Sequence, residues 1–124
     1  MKLVSVYREP IAKQFLYGLM AQRLEEPGTN ISHQSMPTME EHQAFMESKP
    51  YHVWYLVLDD NEEWVGAAYI SKARELGIYI LREYRRRGLG KQAMQMVMAK
   101  WPGRFLLNIH PSNAVSIKMF LGLG

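Results

Sequence analysis

The sequence predicts one α/β domain over residues 1–124: a mixed, mostly antiparallel central sheet with flanking helices, in the order β-α-α-β-β-β-α-β-α. Three observations predict it. Runs of alternating or continuously apolar residues are interleaved with stretches of helical period, so strands and helices both occur. Pro and Gly punctuate the chain where the period changes. A length of 124 residues with 48% hydrophobic content suits one core and argues against two.

Lys2 to Tyr7 alternates polar and apolar side chains, as a first strand does. Pro10 suits a first helical turn. Ile11, Phe15 and Leu19, with Leu16, Met20 and Leu24 beside them, then form the apolar stripe of a helix that Glu26-Pro27-Gly28 ends. Ile31 to Pro37 has no period and reads as a loop. Thr38 and Glu41 make a capping box, so a second helix runs to about Lys49. His52 to Leu58 is almost continuously apolar, β-branched or aromatic, the pattern of a strand buried on both faces. Asp59 to Glu62 turns the chain and Trp64 to Ile70 returns antiparallel. Leu76 to Leu81 is a further strand. From Gly88 to Lys100, and on to Trp101, apolar residues recur at helical spacing until Pro102-Gly103 stops them. Met94, Met96 and Met98 on that helix read as core filler. Phe105 to Ile109 is another strand, and Ser112-Asn113 cap a last short helix.

Composition narrows the chemistry. The chain has no cysteine, which excludes disulfides, thiolate zinc sites, iron–sulfur ligation and a cysteine nucleophile. Its 4 histidines are scattered, with no spaced metal set, so no metal is expected. No apolar run approaches the roughly 20 residues needed to cross a bilayer. The N-terminus lacks a secretory apolar segment, and the expectation is a soluble, cytoplasmic protein. A net charge of +3 conceals an asymmetry. Residues 1–83 hold 8 Lys/Arg against 12 Asp/Glu, whereas residues 84–124 hold 7 Lys/Arg and no acid. The C-terminal third either faces an anion or is a solvated basic surface.

The stretch from Leu81 to Lys91 (Leu-Arg-Glu-Tyr-Arg-Arg-Arg-Gly-Leu-Gly-Lys) favours the anion. A strand ends, a basic loop with glycines follows, and a helix begins. Amides at a helix N-terminus have no intrahelical partner, and the helix dipole favours negative charge there. Arg85, Arg86 and Arg87 add charged donors, while Gly88 and Gly90 remove Cβ atoms that would keep a phosphate away. Pyrophosphate suits such a cradle. A P-loop fails, because the two glycines are too close and Gln92 follows Lys91. The dinucleotide pattern G-x-G-x-x-G/A is met by Gly88 to Ala93, but no acid follows Glu83 to take a ribose, so that reading is disfavoured.

Arg85-Arg86-Arg87-Gly88-Leu89-Gly90 matches the Q/R-x-x-G-x-G/A motif of the GNAT family of N-acetyltransferases at every fixed position. Asn113, Ser116, Ile117, Phe120 and Gly124 fall where that family shows N-x-x-[AS]-[IV]-x-x-[YF]-x-x-x-G. The chain resembles this family over nearly its whole length, most strongly from 76 to 124, and the element order agrees. The resemblance implies direct transfer of an acetyl group from acetyl-CoA to the primary amine of a small molecule, of amino-sugar, amino-acid or polyamine type. It implies that backbone groups of Ile80 and Leu81 pair with the pantetheine arm, with the amides near them as the natural oxyanion donors. Arg85, Arg86, Arg87, Gly88, Leu89, Gly90 and Lys91 would surround the pyrophosphate, and Asn113, Ser116 and Phe120 would line the cofactor arm. The family's common tyrosine acid is replaced by Phe120, which leaves Tyr79 or Tyr84 as substitutes. Glu75 is the first candidate base and His110 the second, with His33 and His52 below them. Members of the family usually continue past the glycine matched by Gly124 into further strands. A sheet edge without them invites a homodimer.

Two other readings stay open on the residues alone. One is a basic nucleic-acid-binding module, although only Tyr84 offers a stacking ring within the cluster. The other is a family member that binds the coenzyme without catalysis. No membrane partner is expected.

Overall fold

A four-stranded antiparallel sheet, in which β2, β3 and β4 form a meander, makes the centre of the molecule. In the computed structural model the structure describes residues 1–25 and 36–103, with 106–107 as backbone. In chain order the elements are β1 (Lys2–Ser5), α1 (Ala12–Glu25), α2 (Met39–Glu47), β2 (Tyr51–Leu58), β3 (Trp64–Ser71), β4 (Glu75–Ile80), α3 (Leu89–Lys100) and β5 (Leu106–Leu107). The sheet order is β1-β2-β3-β4-β5, antiparallel throughout except that β5 runs parallel to β4. The mixed α/β class predicted from sequence is the observed one, over the described elements. The final helix expected after Ser112 lies outside the described residues.

Local chemistry explains the boundaries. The first strand is shorter than its alternation suggests, because Ser5 accepts a hydrogen bond from the Tyr7 amide and turns Val6–Arg8 into a 3-10 helix. The first helix starts at Ala12, which is 1% exposed, so Ile11 falls outside the buried stripe and is 38% exposed. The capping box at α2 is present in full: Thr38 Oγ1 accepts from the Glu41 amide and Glu41 Oε1 accepts from the Thr38 amide.

Side chains divide the sheet into two faces. Val57, Ala68, Ile70 and Leu76 meet Met94 and Val97 of α3 on one face. Trp54, Leu56 and Ala67 meet Leu16 and Leu19 of α1 and Met46 of α2 on the other. Leu56 and Val57 are both fully buried, as a strand covered on two sides requires. Met94 is fully buried, and Met98 packs partly buried against the same core.

Two register shifts position the site. Tyr51 pairs with Ser71 and Val53 with Ile70, so His52 is an extra residue. That bulge turns Tyr51 to the α1/α2 face, where strict alternation from Val53 would put it on the α3 face. Val57 pairs with Gly66 and Leu58 with Trp64, leaving Val65 as the extra residue of β3.

Candidate active site

The end of β4, the basic loop and the start of α3 form one continuous path. Strand β4 ends at Ile80, one residue earlier than the sequence pattern suggested, and Arg82–Tyr84 makes a 3-10 turn. Leu81 donates its amide to the Val65 carbonyl at 2.9 Å. That bond corrects one expectation: the Leu81 amide is committed to the sheet, so it is no oxyanion donor. Strand alternation then points the amide and carbonyl of Ile80 away from β3, toward the side where β5 lies.

The three arginines differ. Arg85 folds back, with Nε donating to the Ile80 carbonyl at 2.8 Å and its guanidinium 5.0 Å from the Tyr79 ring. Arg87 donates to the Glu83 carbonyl at 3.3 Å and lies 5.6 Å from the Tyr84 ring. Arg86 is exposed and holds a left-handed backbone at φ 64°. Gly88 caps the helix at φ 76° and ψ 8°, a conformation that costs a Cβ-bearing residue about 1–2 kcal/mol. Gly90 is buried within the first turn of α3.

Among the described residues, no acceptor meets the backbone amides of Arg86, Arg87, Gly88, Leu89, Gly90 or Lys91. The first hydrogen bond of α3 runs from the Gln92 amide to the Gly88 carbonyl at 3.0 Å. Open amides on a basic loop before a helix fit a diphosphate, in chemistry and in charge.

The α1/α2 face beside this path is aromatic and polar. Gln22 of α1 staples the strand end: its Oε1 accepts from the Tyr79 hydroxyl at 3.2 Å and from the Arg82 amide at 2.8 Å. Tyr69 stacks on Tyr51 with ring centroids 4.1 Å apart and planes 18° apart. Tyr51 meets Trp54 edge-on at 4.9 Å. Burial first, then the neighbouring Tyr69, pushes the Tyr51 hydroxyl up to about 12. Burial also raises the pKa of Tyr69, with Arg23 opposing and Glu75 adding to the shift. Both hydroxyls therefore stay protonated at neutral pH.

Of the catalytic candidates, Glu75 is the first residue of β4, and strand alternation puts it on the same face as Gly77 and Tyr79. Its amide donates to Ser71 Oγ at 3.0 Å. His52 lies against the Trp101 ring at 5.2 Å, on the α3 side and away from the Tyr69 ring. The Tyr84 hydroxyl donates to Glu63 Oε2 at 2.6 Å, and that bond is the first cause of its raised pKa. His33, His110, Asn113, Ser116 and Phe120 lie outside the described residues. Sequence reasoning missed Gln22, Tyr51 and Tyr69, because their role depends on which strands and faces meet.

A strand end, a basic loop and an open helix start, on a sheet of this order, define a fold of the acyl-coenzyme A N-acyltransferase class. The chain belongs to the acetyltransferase (GNAT) family, whose family model matches residues 17–124. Membership sets its enzyme class, an N-acetyltransferase. Among solved structures it is similar to a GNAT superfamily phosphinothricin acetyltransferase from Sinorhizobium meliloti in complex with AcCoA. The TM-score is 0.76 at 20% identity, over 99% of this chain and 73% of that one. It is also similar to a chimera of the Vibrio cholerae spermidine N-acetyltransferase SpeG and hSSAT, with TM-score 0.73 and 13% identity, over 100% of this chain and 81% of that one. A dodecameric spermidine N-acetyltransferase from Vibrio cholerae matches with TM-score 0.68 and 16% identity, over 99% of this chain and 77% of that one. Among curated proteins, none matches the sequence significantly.

Proposed function

We propose that the protein transfers the acetyl group of acetyl-CoA directly to the primary amine of a small molecule of amino-acid, amino-sugar or polyamine type. One observation carries the reading: the amides from Arg86 to Lys91 meet no acceptor among the described residues, at the place where the family motif calls for a diphosphate. The neighbours named for phosphinothricin and spermidine support a small amine as acceptor. In this reading the loop amides hold the pyrophosphate, and Arg86 and Lys91 add charge around it. The Ile80 carbonyl, shared with Arg85 Nε, accepts from the pantetheine arm on the β5 side through its second lone pair, and the Ile80 amide is left for the developing oxyanion. Arg85 braces the strand end rather than the coenzyme. Asn113, Ser116 and Phe120 complete the cofactor arm. Glu75 takes the amine proton, directly or through water, with His110 the second candidate. An acyl-CoA-dependent reaction of this kind fits the cytoplasm. A homodimer completes the reading, in keeping with the dodecameric Vibrio cholerae neighbour.

Calorimetric titration tests it. Acetyl-CoA is expected to bind with a micromolar Kd, and Gly90→Asp, checked for an unchanged fold by circular dichroism, is expected to abolish binding by placing a carboxylate against the diphosphate. Thiol release with a panel of spermidine, glutamate, phosphinothricin and glucosamine then identifies the acceptor class. Steeply salt-dependent oligonucleotide binding without any response to acetyl-CoA would replace the enzyme reading with the nucleic-acid one. Coenzyme binding with no thiol release across a broad amine screen would leave a coenzyme-binding protein without catalysis.

A further inference from the structure

Tyr69 belongs to β3, yet its ring lies over β4. A Cβ built at Gly77 would land against Cζ, Cε1 and the hydroxyl oxygen of Tyr69, so the ring tip occupies the space that any other residue at 77 would fill. Gly77 is paired directly with Tyr69 in the sheet, which is why the ring can cross there. On its other side the ring is held by stacking on Tyr51, which the bulge at His52 turns onto this face. The hydroxyl is thereby carried across its neighbouring strand toward the outer side of β4. Gly77 follows Leu76, which pairs with Leu107 of β5, so the ring crosses β4 next to the strand's outer neighbour. Glu75 lies two residues earlier on the same face, close enough for its charge to raise the pKa of Tyr69.

The other tyrosines near the strand end are committed. The Tyr79 hydroxyl donates to Gln22 and the Tyr84 hydroxyl donates to Glu63. Among the described residues nothing hydrogen-bonds the Tyr69 hydroxyl. Burial keeps it protonated at neutral pH, which suits a donor and not a base.

We propose that the Tyr69 hydroxyl is the proton donor of the acyl transfer, delivering its proton to the sulfur as the thioester opens. The proposal rests on the acetyl-transfer reading above. The amine nitrogen forms a bond to the carbonyl carbon and the carbon–sulfur bond breaks, its electron pair going to sulfur. The proton lost by the amine goes to Glu75 or its water, the Tyr69 proton goes to sulfur, and the tyrosinate is reprotonated through solvent. The products are an amide and a free thiol. Gly77 is a positioning residue in this scheme, because a side chain there would push the ring aside.

The test compares wild type with Tyr69→Phe, which keeps the ring and its stacking and removes the hydroxyl alone. The substrates are acetyl-CoA and the panel amine of highest turnover. The expected result is a kcat lower by roughly 10²-fold, the low end for a lost general acid, with KM for acetyl-CoA within about twofold of wild type. A second readout needs no turnover: adding CoA is expected to perturb the tyrosine ultraviolet spectrum of wild type, and that difference band is absent from Tyr69→Phe although calorimetry shows the same CoA affinity. A Tyr69→Phe enzyme with kcat within about threefold of wild type overturns the donor role while leaving the transfer reading intact. An unchanged CoA difference band in the variant does the same. A wild-type protein that releases no thiol with any amine fails the transfer reading and takes this proposal with it.

Discussion

The two faces of the sheet differ in their materials. Against α3 most contacts are aliphatic and closed, with Val57, Val65, Ala68, Ile70 and Val97 all 0% exposed, and the main polar aromatic pair there is Trp101, whose Nε1 donates to the Tyr55 hydroxyl at 2.8 Å. Against α1 and α2 the strands contribute aromatic rings with polar tips, Tyr51, Trp54, Tyr69 and Tyr79, and the helices contribute Gln22 and His42. Burial on the first face is non-directional and sums into stability. Polar tips on the second face need a partner or an opening to solvent or substrate, which fixes orientation at the cost of closure. The difference assigns work to each side. The aliphatic face holds α3 so that its N-terminus opens at the end of β4, and in the proposed reading the aromatic face shapes the space where an acceptor meets the thioester.

Adjacent residues on β3 give the sharpest way to break this comparison. Ile70 faces α3 and Tyr69 faces α1 and α2. Ile70→Ala is expected to lose about 2–5 kcal/mol of stability, the transfer term plus the cavity left in a closed core. Tyr69→Phe is expected to lose less than about 1 kcal/mol, because its hydroxyl has no partner among the described residues to forfeit. Urea midpoints at an unchanged m-value measure both. Equal losses at the two positions would erase the distinction between a stabilising face and a working one.

Gly88→Ala comes next in size. At φ 76° an added Cβ meets no atom within 4 Å, so the cost is backbone strain alone, about 1–2 kcal/mol. The urea midpoint reads the strain and acetyl-CoA calorimetry reads the loop. A loss confined to stability would mean that the glycine serves only the turn into α3, whereas weaker coenzyme binding as well would tie that geometry to the diphosphate.

The same division decides what a sequence can reveal. Closed faces write themselves into hydrophobic periods, so the full burial of Leu56 and Val57 and the helical run from Leu89 were legible, as were the Thr38–Glu41 capping box and the loop of Gly88. These features depend on neighbours in the chain. The aromatic site depends on register. A bulge at His52 reverses the face of Tyr51, and the pairing of Tyr69 with Gly77 puts a ring across the next strand. Neither shift leaves a period behind. The arginine run was legible as charge but not as direction: Arg85 turns back to Ile80 and Tyr79, while Arg86 stays exposed. The Leu81 amide is placed differently for a related reason: the β3–β4 ladder runs one rung past Gly66 and Ile80, and that register sets the Val65 carbonyl against it.

The smallest effect concerns the helices over the aromatic face. His42 on α2 is 1% exposed, its Nε2 lies 3.0 Å from the Lys13 carbonyl, and its Nδ1 has no partner among the described residues. The Tyr17 ring meets it edge-on at 5.4 Å. Nε2 must carry the proton to donate to that carbonyl, and protonating Nδ1 would bury a second donor without an acceptor. Desolvation accordingly lowers the pKa of His42, opposed by its hydrogen bond to the Lys13 carbonyl and reinforced by the Lys13 charge. The unfolded chain titrates this histidine near its ordinary value of about 6.5. Below that value the unfolded state binds a proton that the folded state refuses, so stability is complete above pH 6.5 and declines as pH falls toward the folded pKa. His42→Leu removes the titration, and its stability is expected to be flatter than that of wild type between pH 7.5 and the folded pKa, whatever its absolute level. Urea midpoints at closely spaced pH values give the two slopes. Parallel slopes would show that the α1/α2 layer tolerates a charged imidazole, and with it that the aromatic face is wetter than its burial implies.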